Sequence, residues 1–169
     1  DRFKYNDELY ALPHDIAPMA VIYYNKKIFD DAKLPYPKDD WTYDEFVQVA
    51  QALTKRDSRK VIIQWGVVGL DWHTFVYCAG GKLVDNEKNP TKCLLDSKEA
   101  ILGFKYYTDL MFKYCVTPSL KDLDTTGSIS YQAFQMGKAA MFYSGIWWSS
   151  QFDLIKAFDW DAVMFPIIN

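Results

Sequence analysis

Two apolar runs stand out along the chain, residues 19–24 (MAVIYY) and residues 61–68 (VIIQWGVV). Both are short and rich in β-branched and aromatic side chains. That predicts strands, the first covered on both faces. Residues 139–143 predict a third strand, and residues 163–165 a last one stopped by Pro166. Residues 3–12 read as a short strand or hairpin arm, with Asn6-Asp7 as its turn.

Between these runs the apolar spacing changes to three and four. Asn25 caps a short helix over residues 26–29, and Pro35 and Pro37 then force an extended connection. Thr42 and Glu45 form a capping-box pair, with Phe46, Val49, Ala50 and Leu53 on one face and Trp41 placed to staple Phe46. A helix over residues 71–79 ends at Gly80-Gly81, followed by a polar loop to Pro90. The longest helix starts at Asp96 or Ser97 and runs to about Tyr114. Ile101, Leu102, Phe104, Tyr107, Leu110, Met111 and Tyr114 form its apolar stripe. Residues 130–136 predict a short helix closed by Gly137, and residues 146–157 another. Strands alternating with helices give an α/β layered fold.

Composition narrows the function classes. Half of the 169 residues are apolar and 17% aromatic, which excludes a disordered chain. Nineteen basic residues against 22 acidic ones, with no long Lys/Arg cluster, argue against nucleic acid as a partner. No apolar run approaches the ~18 residues of a membrane helix. Asp1-Arg2-Phe3-Lys4 is not a signal peptide, and a leader removed by processing would leave no trace. Cys78, Cys93 and Cys115 match no metal or redox spacing. They read as small buried hydrophobes, with one disulfide plus a free thiol as the alternative.

The motifs of catalysis are missing. His14 and His73 sit in no H-E-x-x-H, and the chain has no G-x-S-x-G elbow and no phosphate loop. No cofactor and no metal is expected, and Asp30-Asp31 and Asp39-Asp40 read as solvated surface. What the chain does have is aromatic residues just past its strands. Asp71-Trp72-His73 follows the second strand and Gly145-Ile146-Trp147-Trp148 the third. Ligands of open α/β sheets lie outside the carboxyl ends of strands. An indole face suits the C–H face of a sugar, and small polar groups suit its hydroxyls. Trp147 and Trp148 diverge by about 100° on a helix, so one core and one cleft residue is the natural split. The competing account makes both of them core.

Several blocks resemble the family 1 extracellular solute-binding proteins, which include the maltose-binding proteins. Residues 11–29 (ALPHDIAPMAVIYYNKKIF) resemble the family's crossing segment, and residues 34–55 (LPYPKDDWTYDEFVQVAQALTK) its region where a helix begins. Residues 131–148 (YQAFQMGKAAMFYSGIWW) resemble its helix–Gly–strand–Gly–Trp unit. Residues 158–169 (FDWDAVMFPIIN) are similar to the strand leading back across the hinge, and residues 91–110 to the long helix.

The resemblance implies a periplasmic-binding-protein-like class II lobe, with helices packed around a small mixed β-sheet. It implies that residues 1–169 are the second lobe of a two-lobed protein. Residues 1–18 would enter it, residues 163–169 would leave it, and most of the first lobe would lie outside the chain. It implies a mono- or oligosaccharide held between the lobes without reaction. ABC permease subunits in the membrane and the remaining lobe would be partners. The location would be extracellular, as a cell-surface lipoprotein or a periplasmic protein. The implied ligand-binding residues are Trp147 first, then Trp72 and Asp15, with His14, Met19 and Trp148 beside them. Asp15 also reads as a turn or cap residue and His14 as a satisfied hinge histidine. The rivals are a carbohydrate-active enzyme domain, a lobe for a non-sugar solute, and an interaction module whose tryptophans are all core.

Overall fold

The middle of the sheet is β3 (Val21–Asn25), whose Ile22, Tyr23 and Tyr24 are all buried. In the computed structural model, which describes residues 3–12, 19–119, 121–122 and 130–168, five strands pair in one sheet. They are β3, β4 (Lys55–Arg56), β5 (Ile62–Val68), β6 (Ala139–Ser144) and β7 (Trp160–Met164), in the order β4-β5-β6-β3-β7. Only β5 and β6 pair in parallel, with Val68 opposite Phe142, and the other pairings are antiparallel. Outside this sheet, β1 (Lys4–Tyr5) and β2 (Glu8–Leu9) form a hairpin. Asn6 and Asp7 both take positive φ, as a two-residue primed turn requires.

Period-two alternation splits the core into two layers. Ile22, Tyr24, Val67, Met141 and Tyr143 pack under four helices: α1 (Lys26–Ala32), α2 (Tyr43–Leu53), α3 (Trp72–Cys78) and α4 (Lys98–Phe112). Tyr23, Val68 and Phe142 face α5 (Ser130–Gln135) and α6 (Ser149–Phe152) on the other side. The fold is thus α/β, a small mixed sheet with helices on both faces.

The caps are where the residues place them. Asn25 accepts from the Ile28 amide at 3.2 Å, and Thr42 and Glu45 close the capping box. Trp41 meets Phe46 edge-on at 5.4 Å. Asp71 caps α3 and Ser97 caps α4. Where α2 crosses β5 the backbones nearly touch, since a Cβ on Gly66 would lie 2.1 Å from the Ala50 carbonyl oxygen.

Four expectations are corrected. The helix over residues 146–157 is broken into a 3-10 turn, Ile146–Trp148, and the single turn of α6. Beyond Phe152 the chain closes a tighter turn, in which the Ile155 amide and the Trp160 indole N–H both donate to the Phe152 carbonyl at 2.9 Å. The last strand is longer than residues 163–165 and starts at Trp160, because β3 offers a partner along its whole length. On α4 the inward face is Ala100, Gly103 and Leu110, while Ile101 and Leu102 are exposed. Small residues face α3 because its backbone runs so close. A Cβ on Gly103 would sit 2.5 Å from the Val76 Cα. The cysteines are free and are not core residues. Cys78, at the end of α3, and Cys93, in the loop before α4, are exposed, and Cys115 is partly so.

Candidate functional site

One end of the sheet gathers the features of a binding rim. The parallel pair β5–β6 ends there, and antiparallel pairing brings the start of β3 and the end of β7 to the same edge. Val21 lies opposite both Ser144 and Met164. Gly69 turns the chain off β5 with φ +82°, and a side chain there would strike the Phe142 ring and the Tyr143 carbonyl at 2.7 Å. The two strand ends therefore lie against each other with only a hydrogen atom between them.

Past β6, the Tyr23 hydroxyl donates to the Gly145 carbonyl at 3.0 Å and fixes the turn. The indole of Trp147 folds back over Gly145, where a Cβ would lie 1.9 Å from its ring. Trp147 is 45% exposed, and among the described residues no other aromatic ring is recorded against it. Trp148 diverges from it, as neighbours on a helical turn must. It stacks on Tyr131 at 4.4 Å and on Phe152 at 5.8 Å, half-buried in the second core layer.

Past β5, Asp71 accepts from the Thr74 amide at 3.0 Å and from its hydroxyl at 3.1 Å, opening α3. Trp72 follows, partly buried, with its ring stacked against Phe104 at 4.8 Å and His73 at 3.6 Å. It therefore offers less free ring surface than Trp147. Met19 is exposed at the head of β3, beside Ala20 with its φ of +75°. His14 and Asp15 lie outside the described residues.

Two features escaped the sequence. The first is a cavity of about 210 Å³ at the end of β5, lined by Gly69, Leu70, Tyr107, Met111, Thr117, Pro118 and Ser130. Its walls come from distant segments, and Gly69-Leu70 was its only local signal. The second is the contact between the Tyr143 and Thr74 hydroxyls at 2.5 Å. Burial pushes the Tyr143 phenol well above its ordinary range, so it stays protonated. Burial, then the nearby Asp71 carboxylate, raises Tyr107 as well. Wider grooves of about 590 Å³ lie elsewhere, one along residues 34–52 and one along residues 77–87. Among the described residues no group of three or more His, Cys, Asp and Glu could hold a metal ion. No helix there is long and apolar enough to cross a membrane.

Residues 1–168 match the bacterial extracellular solute-binding protein family. The chain belongs to that family. It is 28% identical over 147 residues to the maltotriose-binding protein of Pyrococcus abyssi, covering 87% of this chain and 29% of that one. An ABC substrate-binding protein of Listeria monocytogenes, solved in complex with cycloalternan, superposes with a TM-score of 0.76 at 27% identity. The match covers 95% of this chain and 40% of the Listeria protein. UgpB of Mycobacterium tuberculosis, solved with glycerophosphocholine, shares the fold with a TM-score of 0.70 at 17% identity. There the coverage is 97% of this chain and 41% of UgpB. The chain thus spans well under half the length of these three proteins.

Proposed function

We propose that this chain is the second lobe of a two-lobed sugar-binding protein serving an ABC transporter. An oligosaccharide would stack on Trp147 at the rim, with Trp72 and Met19 beside it. His14 and Asp15 would contribute from the incoming segment, and Trp148 from the turn that follows Trp147, its ring stacked on Tyr131. The first lobe would close over the ligand, and the closed form would dock on permease subunits. No bond is made or broken. The location would be extracellular, periplasmic or lipid-anchored.

One observation carries the reading: an indole ring folded over Gly145, with free ring surface at the carboxyl ends of two parallel strands. Rings of that kind take up the apolar face of a pyranose. The maltotriose named for the Pyrococcus relative and the cycloalternan in the Listeria structure favour an oligosaccharide.

The test is a thermal-shift series on the full two-lobed protein with glucose, maltose, maltotriose and glycerophosphocholine. A ligand that binds the native state raises the midpoint by mass action. Maltotriose should raise it, and Trp147→Ala should reduce the rise at the same ligand concentration. A response to glycerophosphocholine alone, or release of glucose from maltotriose, would reject the proposal.

A further inference from the structure

We infer that Tyr143 is a positioning residue for the binding rim, acting through Thr74 to hold Trp72 in place relative to Trp147. The inference rests on the sugar-binding reading for its effect on affinity, but its geometric content stands apart from it.

Tyr143 touches both α3 and the outgoing segment from the end of β6. It is the penultimate residue of β6, two positions before the Gly145 turn that carries Trp147. Its hydroxyl reaches across to α3 and meets the Thr74 hydroxyl at 2.5 Å. Thr74 is bound in turn by the Asp71 carboxylate through both its amide and its hydroxyl. Trp72 lies between those two residues in the first turn of α3. The Tyr143 ring also meets Phe165 edge-on at 5.5 Å, and the Phe165 amide donates to Ala20 beside Met19. One buried phenol thus ties together the β6 end, the head of α3 and the outgoing segment.

The bond is placed where it controls orientation more than stability. The body of α3 is already fixed by buried Phe75 and Val76 and by its packing on α4. Its first turn has fewer holds. Asp71 caps it from within, and Phe104 flanks the Trp72 ring. The Tyr143–Thr74 contact is a side-chain hydrogen bond linking that turn to the sheet. Carbohydrate affinity depends on aromatic planes held at a fixed spacing, so a small rotation of this turn would be felt at the ligand. A residue that sets such a spacing without touching the ligand acts through preorganisation.

The experiment uses the full two-lobed protein with its tryptophans, six of them in this chain, replaced by 5-fluorotryptophan, and maltotriose as the probe. Tyr143→Phe and Thr74→Val each remove one hydroxyl and keep most of the bulk. Fluorine NMR of the ligand-free protein should show the Trp72 resonance shifted or broadened in both variants, with Trp41 and Trp160 unmoved. Maltotriose affinity should fall about tenfold in each, the scale of one hydrogen bond. The double variant should be no worse than Thr74→Val alone, which also loses the bond of its hydroxyl to Asp71. Thr74→Ser, which keeps the hydroxyl, should restore both signals. An unmoved Trp72 resonance in Tyr143→Phe would overturn the inference, as would an affinity loss that Thr74→Ser fails to restore. If the wild-type protein binds no maltotriose, the sugar reading fails, and the ligand-free spectra still decide the positioning role.

Discussion

Trp41 donates its indole N–H to the main-chain carbonyl of Met164 at 2.9 Å, across 123 positions of sequence. The same loop continues the grip. Asp39 accepts from the Met164 amide at 3.1 Å, Ile167 donates to the Trp41 carbonyl at 2.9 Å, and Tyr43 donates to the Ile167 carbonyl at 3.0 Å. The stretch before α2 therefore lies along the edge strand β7 and the segment that leaves it. It covers backbone groups that would otherwise form an open sheet edge.

Trp41→Phe keeps the ring that staples Phe46 and removes the donor. The expected loss is about 1–2 kcal/mol of unfolding free energy, from one hydrogen bond and part of an indole. Urea unfolding followed by circular dichroism measures it. An unchanged midpoint would mean that the Met164 carbonyl finds water just as well.

Two glycines give opposite tests of space and conformation. Gly103→Ala should favour an isolated helix by about 1 kcal/mol. In the folded protein its Cβ would lie 2.5 Å from the Val76 Cα. The clash outweighs the propensity, and a net loss of about 1–3 kcal/mol is expected in chemical denaturation. At Gly80 no atom lies within 4 Å of an added Cβ, but φ is +81°. Gly80→Ala should lose about 1 kcal/mol from backbone strain alone.

Asp85 organises the loop before α4. Its carboxylate accepts from the Thr91 hydroxyl at 2.5 Å and the Thr91 amide at 2.9 Å, and from the Lys92 and Asn86 amides at 3.0 Å. These bonds hold its carboxyl far below the ordinary value of 3.8. A depressed folded value means the contribution is present above pH 3.8 and is lost as pH falls through the folded value. Asp85→Ala should remove amide-exchange protection at Thr91 and Lys92 at neutral pH. The difference from wild type should shrink in acid, as the wild-type carboxylate takes up its proton. Equal protection at neutral pH would refute the assignment.

The adjacent tryptophans should separate cleanly. Trp148→Ala removes a ring stacked on Tyr131 and Phe152, and should destabilise the protein by about 3 kcal/mol. Trp147→Ala should leave the melting temperature nearly unchanged and weaken oligosaccharide binding by ~1–3 kcal/mol, read by calorimetry on the full protein. The reverse assignment of effects would move the site elsewhere.

Local signals were legible wherever one residue decides the matter. Asn25, Thr42 and Ser97 cap their helices, and the Asn6-Asp7 turn needs no tertiary partner. Misreadings came where distant segments decide. Trp160 bonds the Phe152 carbonyl where the helix stops, and the backbone of α3 forces the inward face of α4 onto small residues. The site followed the same division. Trp72 and Trp147 could be placed from strand ends alone. The Tyr143–Thr74 contact, 69 positions apart, and the cavity beside Leu70 exist only once β5 and β6 are laid side by side.

The pairing of Val21 with Met164 has a further consequence. Directly opposed antiparallel residues stand about 5 Å apart, and the Phe165 amide bonds the Ala20 carbonyl at 3.0 Å. The unit between these two points therefore begins and finishes at almost the same place. Such a unit can be carried on the surface of another domain by two neighbouring tethers, with no stretch imposed on its host. Two tethers so close together also restrain tilting about the line that joins them far less than sliding. A rigid body mounted in this way swings more readily than it shears.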